Sequence, residues 1–87
     1  MSIRITETSN ADGTVLQLDG RLASEDVEEL VRAYRSVQGP VVLELMNLQS
    51  ASSFGVEALL ELASLGARLR GASTFMELLM KARRGVD

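Results

Sequence analysis

From Val41 to Gly66 the chain reads VVLELMNLQSASSFGVEALLELASLG, an apolar run, a polar bend and an apolar helix in direct succession. Val41, Val42, Leu43 and Leu45 follow the breaker pair Gly39-Pro40 and are β-branched or aliphatic, which predicts a short buried strand. Asn47 to Ser53 is a cluster of Asn, Gln, Ser and Ala with little to bury, and reads as a tight polar bend. From Val56 the apolar positions become Val56, Leu59, Leu60, Leu62 and Ala63, a helical period, and Gly66 stands where a C-terminal glycine ends a helix. A strand turning tightly into a helix N-terminus collects backbone N–H groups and hydroxyls at one surface point. Such a point suits a phosphate or a protein partner.

The flanks fit around this stretch. Ile3 and Ile5 alternate with Arg4 and Thr6, as in a half-exposed edge strand. Asn10-Ala11-Asp12-Gly13 reads as a hairpin turn, and Val15, Leu16 and Leu18 as a second strand closed by Asp19-Gly20. Ser24 is placed to cap a helix whose first turn holds Glu25 and Asp26. Val27, Leu30, Val31, Tyr34 and Val37 give that helix one apolar face, and Gly39-Pro40 stops it. After Gly66, residues 67–70 suffice only for a short strand. Thr74 and Glu77 then match a capping box, which predicts a last helix from Phe75 with Phe75, Leu78, Leu79 and Met76 as its apolar residues. Lys81, Arg83 and Arg84 gather at its C-terminal end, where cations suit the helix dipole.

The resulting order is β-β-α-β-α-β-α in a single α/β domain spanning residues 1–87. The first two strands pair antiparallel and the later ones parallel, giving a small mixed sheet whose helices cover one face. Leu30, Val42, Leu43, Leu45, Leu59 and Leu60 are the expected core, with Met46, Met76 and Met80 filling its gaps. A chain of this size buries roughly 60–65% of its unfolded surface, so a partner or a dimer would add materially to its stability.

Composition removes whole classes of chemistry. The chain has no Cys and no His, which excludes disulfides, thiol nucleophiles, imidazole bases and most zinc or haem sites. No serine has a histidine partner, the one lysine is Lys81, and no glycine-rich phosphate loop is present, so no enzyme, cofactor or metal site is expected. A net charge of −3 argues against general nucleic-acid binding, and Tyr34, Phe54 and Phe75 are too few to stack single strands. There is no run of 18 apolar residues to span a membrane. The opening MSIRITETSN lacks a basic segment followed by an apolar one, so no signal peptide is expected and a cytoplasmic location follows by default.

The element order, Gly20-Arg21-Leu22 before the first helix, the strand VVLEL and the S-x-x-G-V-x-x-L-L bend resemble the STAS domain, named for sulfate transporters and anti-sigma factor antagonists. The resemblance runs from about Ile3 to Lys81 and includes the small polar turn Gly71-Ala72-Ser73 before the last helix. It implies an interaction module whose partner is a kinase-like anti-sigma factor, with phosphorylation of a serine in the bend releasing that partner. The family's bend reads aspartate, serine, serine, glycine, leucine. Aligned without gaps through Gly55, Ser52 takes the aspartate position, Ser53 the first serine, and Phe54 the second serine, the usual phosphoacceptor. Glu44 stands for the family's strand-ending aspartate. Ser53 and Ser52 remain as phosphoacceptor candidates, with Ser50 behind them.

Each of these residues also has a plainer reading. Ser50, Ser52 and Ser53 satisfy helix-start N–H groups in any solvated turn. Phe54 serves as a hydrophobic staple or as an apolar contact in an interface. Glu57 and Glu61, at i and i+4, occur on any exposed helix face. The expected interface is Ser50, Ser52, Ser53 and Phe54 of the bend with Glu57 and Glu61 of the second helix. The alternative is a non-switching STAS subunit of a larger assembly, such as a lipid-transport ATPase complex; a homodimer without regulatory function is a third.

Overall fold

The computed structural model describes residues 3–84. Two strands, β1 (Ile3–Asn10) and β2 (Gly13–Leu22), form an antiparallel hairpin in register from Ile3 opposite Gly20 to Asn10 opposite Gly13. The Asn10 Oδ1 accepts the Asp12 N–H at 2.8 Å, so the turn closes on its own side chain. A 3-10 turn at Ser24–Asp26 leads into helix α1 (Val27–Arg35). Strand β3 (Val41–Glu44) lies parallel to the first half of β2, and β4 (Leu48–Ala51) lies parallel to its last residues. Helix α2 (Ser53–Ser64), strand β5 (Arg68–Arg70), parallel to β3 on its outer side, and helix α3 (Thr74–Arg84) complete the described chain.

The sheet therefore has five strands in the order β1-β2-β3-β5, with β4 continuing the β3 side of β2. The chain steps from β2 to β3 and on to β5 in one direction across the sheet. Right-handed crossovers made in one direction put α1 and α2 on the same face. That face carries the register row Leu16, Leu43, Leu69, and the next row, Gln17, Glu44, Arg70, belongs to the opposite, open face. The core is built of leucines: Leu16, Leu18, Leu22, Leu30, Leu43, Leu45 and Leu59 have no accessible surface, and Met76 joins them. None of the helices among the described residues is long and apolar enough to cross a membrane.

Several expectations need correction. The segment read as a polar bend contains β4. Only Leu48 of its four residues is fully buried, so it has no apolar run to announce it, and Ala51, three residues on, is the other one packed on the core. Its partner β2 does not stop at Asp19-Gly20. Gly20 pairs with Leu48 and Arg21 with Ser50, so Gln49 of β4 is the extra residue of a bulge opposite the step from Gly20 to Arg21, where Gly20 has a φ of 99°, and β2 continues to Leu22.

Ser24 does not cap a helix. The buried carboxylate of Asp26 accepts the Ala23 N–H at 2.9 Å and holds the 3-10 turn, which frees the Ser24 hydroxyl for another role.

In α3 the buried residues are Met76 and Met80, with Leu79 half-buried beside them, while Phe75 and Leu78 are 58% and 60% exposed. Ser73, rather than Thr74, accepts the Met76 N–H at 3.1 Å, so the helix starts one residue earlier than expected and turns a different stripe inward.

In the core, Val42 and Leu60 are half-buried, Val42 on the open sheet face and Leu60 beside a cleft between α2 and α3. Met46 is 71% exposed in the bend after β3. Among the described residues the methionines that fill the core, Met76 and Met80, both come from α3.

Candidate functional site

The bend sits where β4 runs into α2. Ser52 is the N-cap of α2, extended at φ −70° and ψ 172°, and its Oγ accepts the Gly55 N–H at 3.0 Å. Its own N–H donates to the Leu22 carbonyl at 2.9 Å, which ties the cap to the end of β2. The Ser24 hydroxyl donates to the Ser52 Oγ at 3.1 Å. Gly55 completes the joint: a Cβ there would stand 2.7 Å from the Leu22 carbonyl oxygen and 3.0 Å from its side chain. No larger residue lets α2 press this closely on β2. At the other end of α2 the N–H groups of Gly66 and Ala67 donate to the carbonyls of Ala63 and Leu62, a Schellman closure that the φ of 115° at Gly66 permits.

This geometry distributes the expected site residues unequally. Ser50 lies within β4, half-buried, opposite Arg21 of β2. Ser52 is half-buried and its oxygen is committed to the cap. Ser53 is exposed in the first position of α2, and among the described residues its hydroxyl has no partner. Phe54, at the usual acceptor position of the resembled bend, is 65% exposed and is no staple. Glu57 and Glu61 are exposed on the same side of α2 as Phe54, since steps of three and seven residues return to one helix face. Glu57 is paired with Arg83 of α3, whereas Glu61 has no ion pair among the described residues. Ser53, Phe54, Glu57 and Glu61 thus share one surface; Ser50 and Ser52 lie behind it.

Glu44 is not a free carboxylate at a strand end. Its Oε1 takes the Arg70 Nε at 2.6 Å and its Oε2 accepts the Met46 N–H at 3.3 Å, so it clamps β3 to β5 and shapes the following bend. Two neighbours of the site were not foreseeable: Ser24, which lies 28 residues from Ser52, and Arg83, 26 residues from Glu57. Neither separation leaves a periodic trace. Leu65, 62% exposed at the far end of α2, is a third, and its visible signal is an apolar residue beside the terminating Gly66.

The same arrangement of strands and helices occurs in a known protein. A solved structure described as an antisigma-factor antagonist STAS domain from Rhodobacter sphaeroides superposes with a TM-score of 0.65 at 23% sequence identity, covering 84% of this chain and 94% of that one. The fold is that of a STAS domain. No family model matches the chain, and no curated protein matches it. The STAS assignment therefore rests on the course of the backbone: the antiparallel entry hairpin, the parallel additions of β3 and β5, and the strand-to-helix bend capped by Ser52.

Proposed function

We propose that this STAS domain is a protein-interaction module of the anti-sigma factor antagonist kind, acting in the cytoplasm and docking a kinase-type anti-sigma factor on the bend and the exposed side of α2. The observation that carries the reading is Phe54, which is 65% exposed in the first turn of α2. A large apolar side chain held in water on a rigid helix start gains free energy only when a partner covers it. Ser53 and Phe54 present a hydroxyl and a ring side by side on that surface, with Glu57 and Glu61 following along the helix. The Rhodobacter sphaeroides domain that shares this fold is an antisigma-factor antagonist, which supports the same class of partner here.

Phosphorylation of Ser53 is the switch open to this chain. A phosphate there adds nearly two negative charges at the N-terminus of α2, where the free N–H groups and the dipole tolerate it. The fold survives, while the hydrated phosphate beside Phe54 opposes burial of the ring. A second reading is favoured by the same phenylalanine: with the usual acceptor position occupied by Phe54, the domain serves as a constitutive subunit of a larger assembly, such as a lipid-transport ATPase complex. Incubation with a purified kinase-type anti-sigma factor and ATP, followed by intact-mass measurement and a binding titration, separates the two. Complex formation with phosphate added at Ser53 supports the switch. Complex formation with no added mass supports constitutive binding. Absence of any complex refutes the anti-sigma reading.

A further inference from the structure

The sequence of α2, SFGVEALLELAS, contains no basic residue, and its two charges, Glu57 and Glu61, stand at i and i+4. Like charges at that spacing repel unless something answers them. Arg83 of α3 answers Glu57. Among the described residues nothing answers Glu61, which borders a cleft of about 500 Å³ that it shares with Glu57, Leu60, Ser64 and Arg83. The same side of the helix ends in a large exposed apolar residue at each extremity, Phe54 at 65% and Leu65 at 62%. At about 100° per residue, Phe54, Glu61 and Leu65 fall within roughly 20° of one line along the helix, and Phe54 and Leu65 stand about 16 Å apart.

We infer that this stripe seats one helix of the partner protein, a helix that brings an arginine or lysine to Glu61 and apolar residues over Phe54 and Leu65. The inference rests on the reading of the bend and α2 as the interface and names the chemistry that the partner presents. The straight three-turn run between the two apolar ends matches a helix laid along a helix, with i, i+3, i+4 and i+7 anchors. Charge decides between occupants. A second copy would bring Glu61 of each chain against an equally acidic stripe, and a membrane surface would bring anionic headgroups; both are repelled. A cation between two apolar anchors satisfies the unanswered carboxylate and covers both exposed side chains at once. Glu57, already neutralised by Arg83, holds α3 in place beside the seat and is not the charge the partner reads.

The test is a calorimetric titration of the purified kinase-type anti-sigma factors of the source organism against the wild-type domain, Glu61→Lys, Glu61→Gln, Phe54→Ala and the off-stripe control Glu7→Lys, at about 50 and about 150 mM salt. Thermal melts confirm that each variant is folded. Glu61→Lys weakens binding on the order of tenfold or more and Glu61→Gln weakens it less, while Glu7→Lys leaves it unchanged. The wild-type affinity falls with salt more steeply than that of Glu61→Gln. If Glu61→Lys binds as tightly as wild type, or more tightly, while Phe54→Ala binds weakly, the basic-helix inference is overturned and the bend interface stands. If sedimentation shows a wild-type dimer that Glu61→Lys disrupts or strengthens, the stripe belongs to a second copy and the inference is overturned. If the wild-type domain binds none of the anti-sigma factors, both readings fall.

Discussion

The hydroxyl of Ser24 donates to the hydroxyl of Ser52 over 3.1 Å, joining residues 28 positions apart. Ser52 in turn caps α2 through the Gly55 N–H. A serine oxygen has two acceptor sites, and these two donors occupy both. The contact fastens the 3-10 turn after β2 to the start of α2, so the surface carrying Ser53 and Phe54 is held from two directions.

The first prediction follows from that joint. Ser52→Ala removes the cap and is expected to lower stability by about 1 kcal/mol, whereas Ser52→Asp retains an acceptor at the N-terminus and keeps most of it. Ser24→Ala removes an exposed hydrogen bond and costs about half as much or less. Urea denaturation midpoints at constant m-value test the ranking; equal midpoints for Ser52→Ala and wild type would show that the cap contributes nothing.

Gly55 supplies the second. Gly55→Ala forces a methyl group against the Leu22 carbonyl, 2.7 Å from where its Cβ would stand. The start of α2 must move away from β2, at a cost of about 1–3 kcal/mol, and Phe54 moves with it. Both the melting temperature and the affinity for the partner should fall together. A variant that melts lower but binds unchanged would uncouple the interface from this contact.

The two faces of β3 give the third. Leu43 has no accessible surface, and Leu43→Ala is expected to cost roughly 2–5 kcal/mol, a large share of a small domain's stability. Val42, its neighbour on the open face, is half-buried, and Val42→Ala should cost clearly less. Thermal unfolding of the pair measures the difference. A larger loss for Val42 would place the core on the wrong side of the sheet.

The fourth concerns the switch. Ser53→Asp puts a carboxylate in the first turn of α2, where the dipole favours it, so the variant should fold with unchanged or slightly raised stability. Its affinity for the anti-sigma partner should drop, as should that of Phe54→Ala, which adds no charge. Surface plasmon resonance on the folded variants decides: normal binding by Phe54→Ala would remove the ring from the interface.

What the sequence by itself determined was local. Alternation in Ile3–Ile5, the run VVLE and the helical spacing after Val56 each report how a short segment is wetted on its two sides, and that information is periodic in the chain. The element order, apart from β4, the mixed sheet and the strand-to-helix bend were legible for this reason, whereas Ser53 and Phe54, read as part of the bend, share a helix side with Glu57 and Glu61 because α2 begins at Ser53. Tertiary structure decided the rest. Strand β4 exists because the end of β2 offers it a ladder from Gly20 to Leu22, not because Leu48–Ala51 has a strand's composition. Helix α3 turns Met76 and Met80 inward and leaves Phe75 and Leu78 in water, since two stripes of comparable apolarity compete and the sheet accepts only one. Ser24 meets Ser52, and Arg83 meets Glu57, through the packing of distant elements. Hydrogen bonds and ion pairs between such elements have no period, so only the folded backbone specifies which donor faces which acceptor.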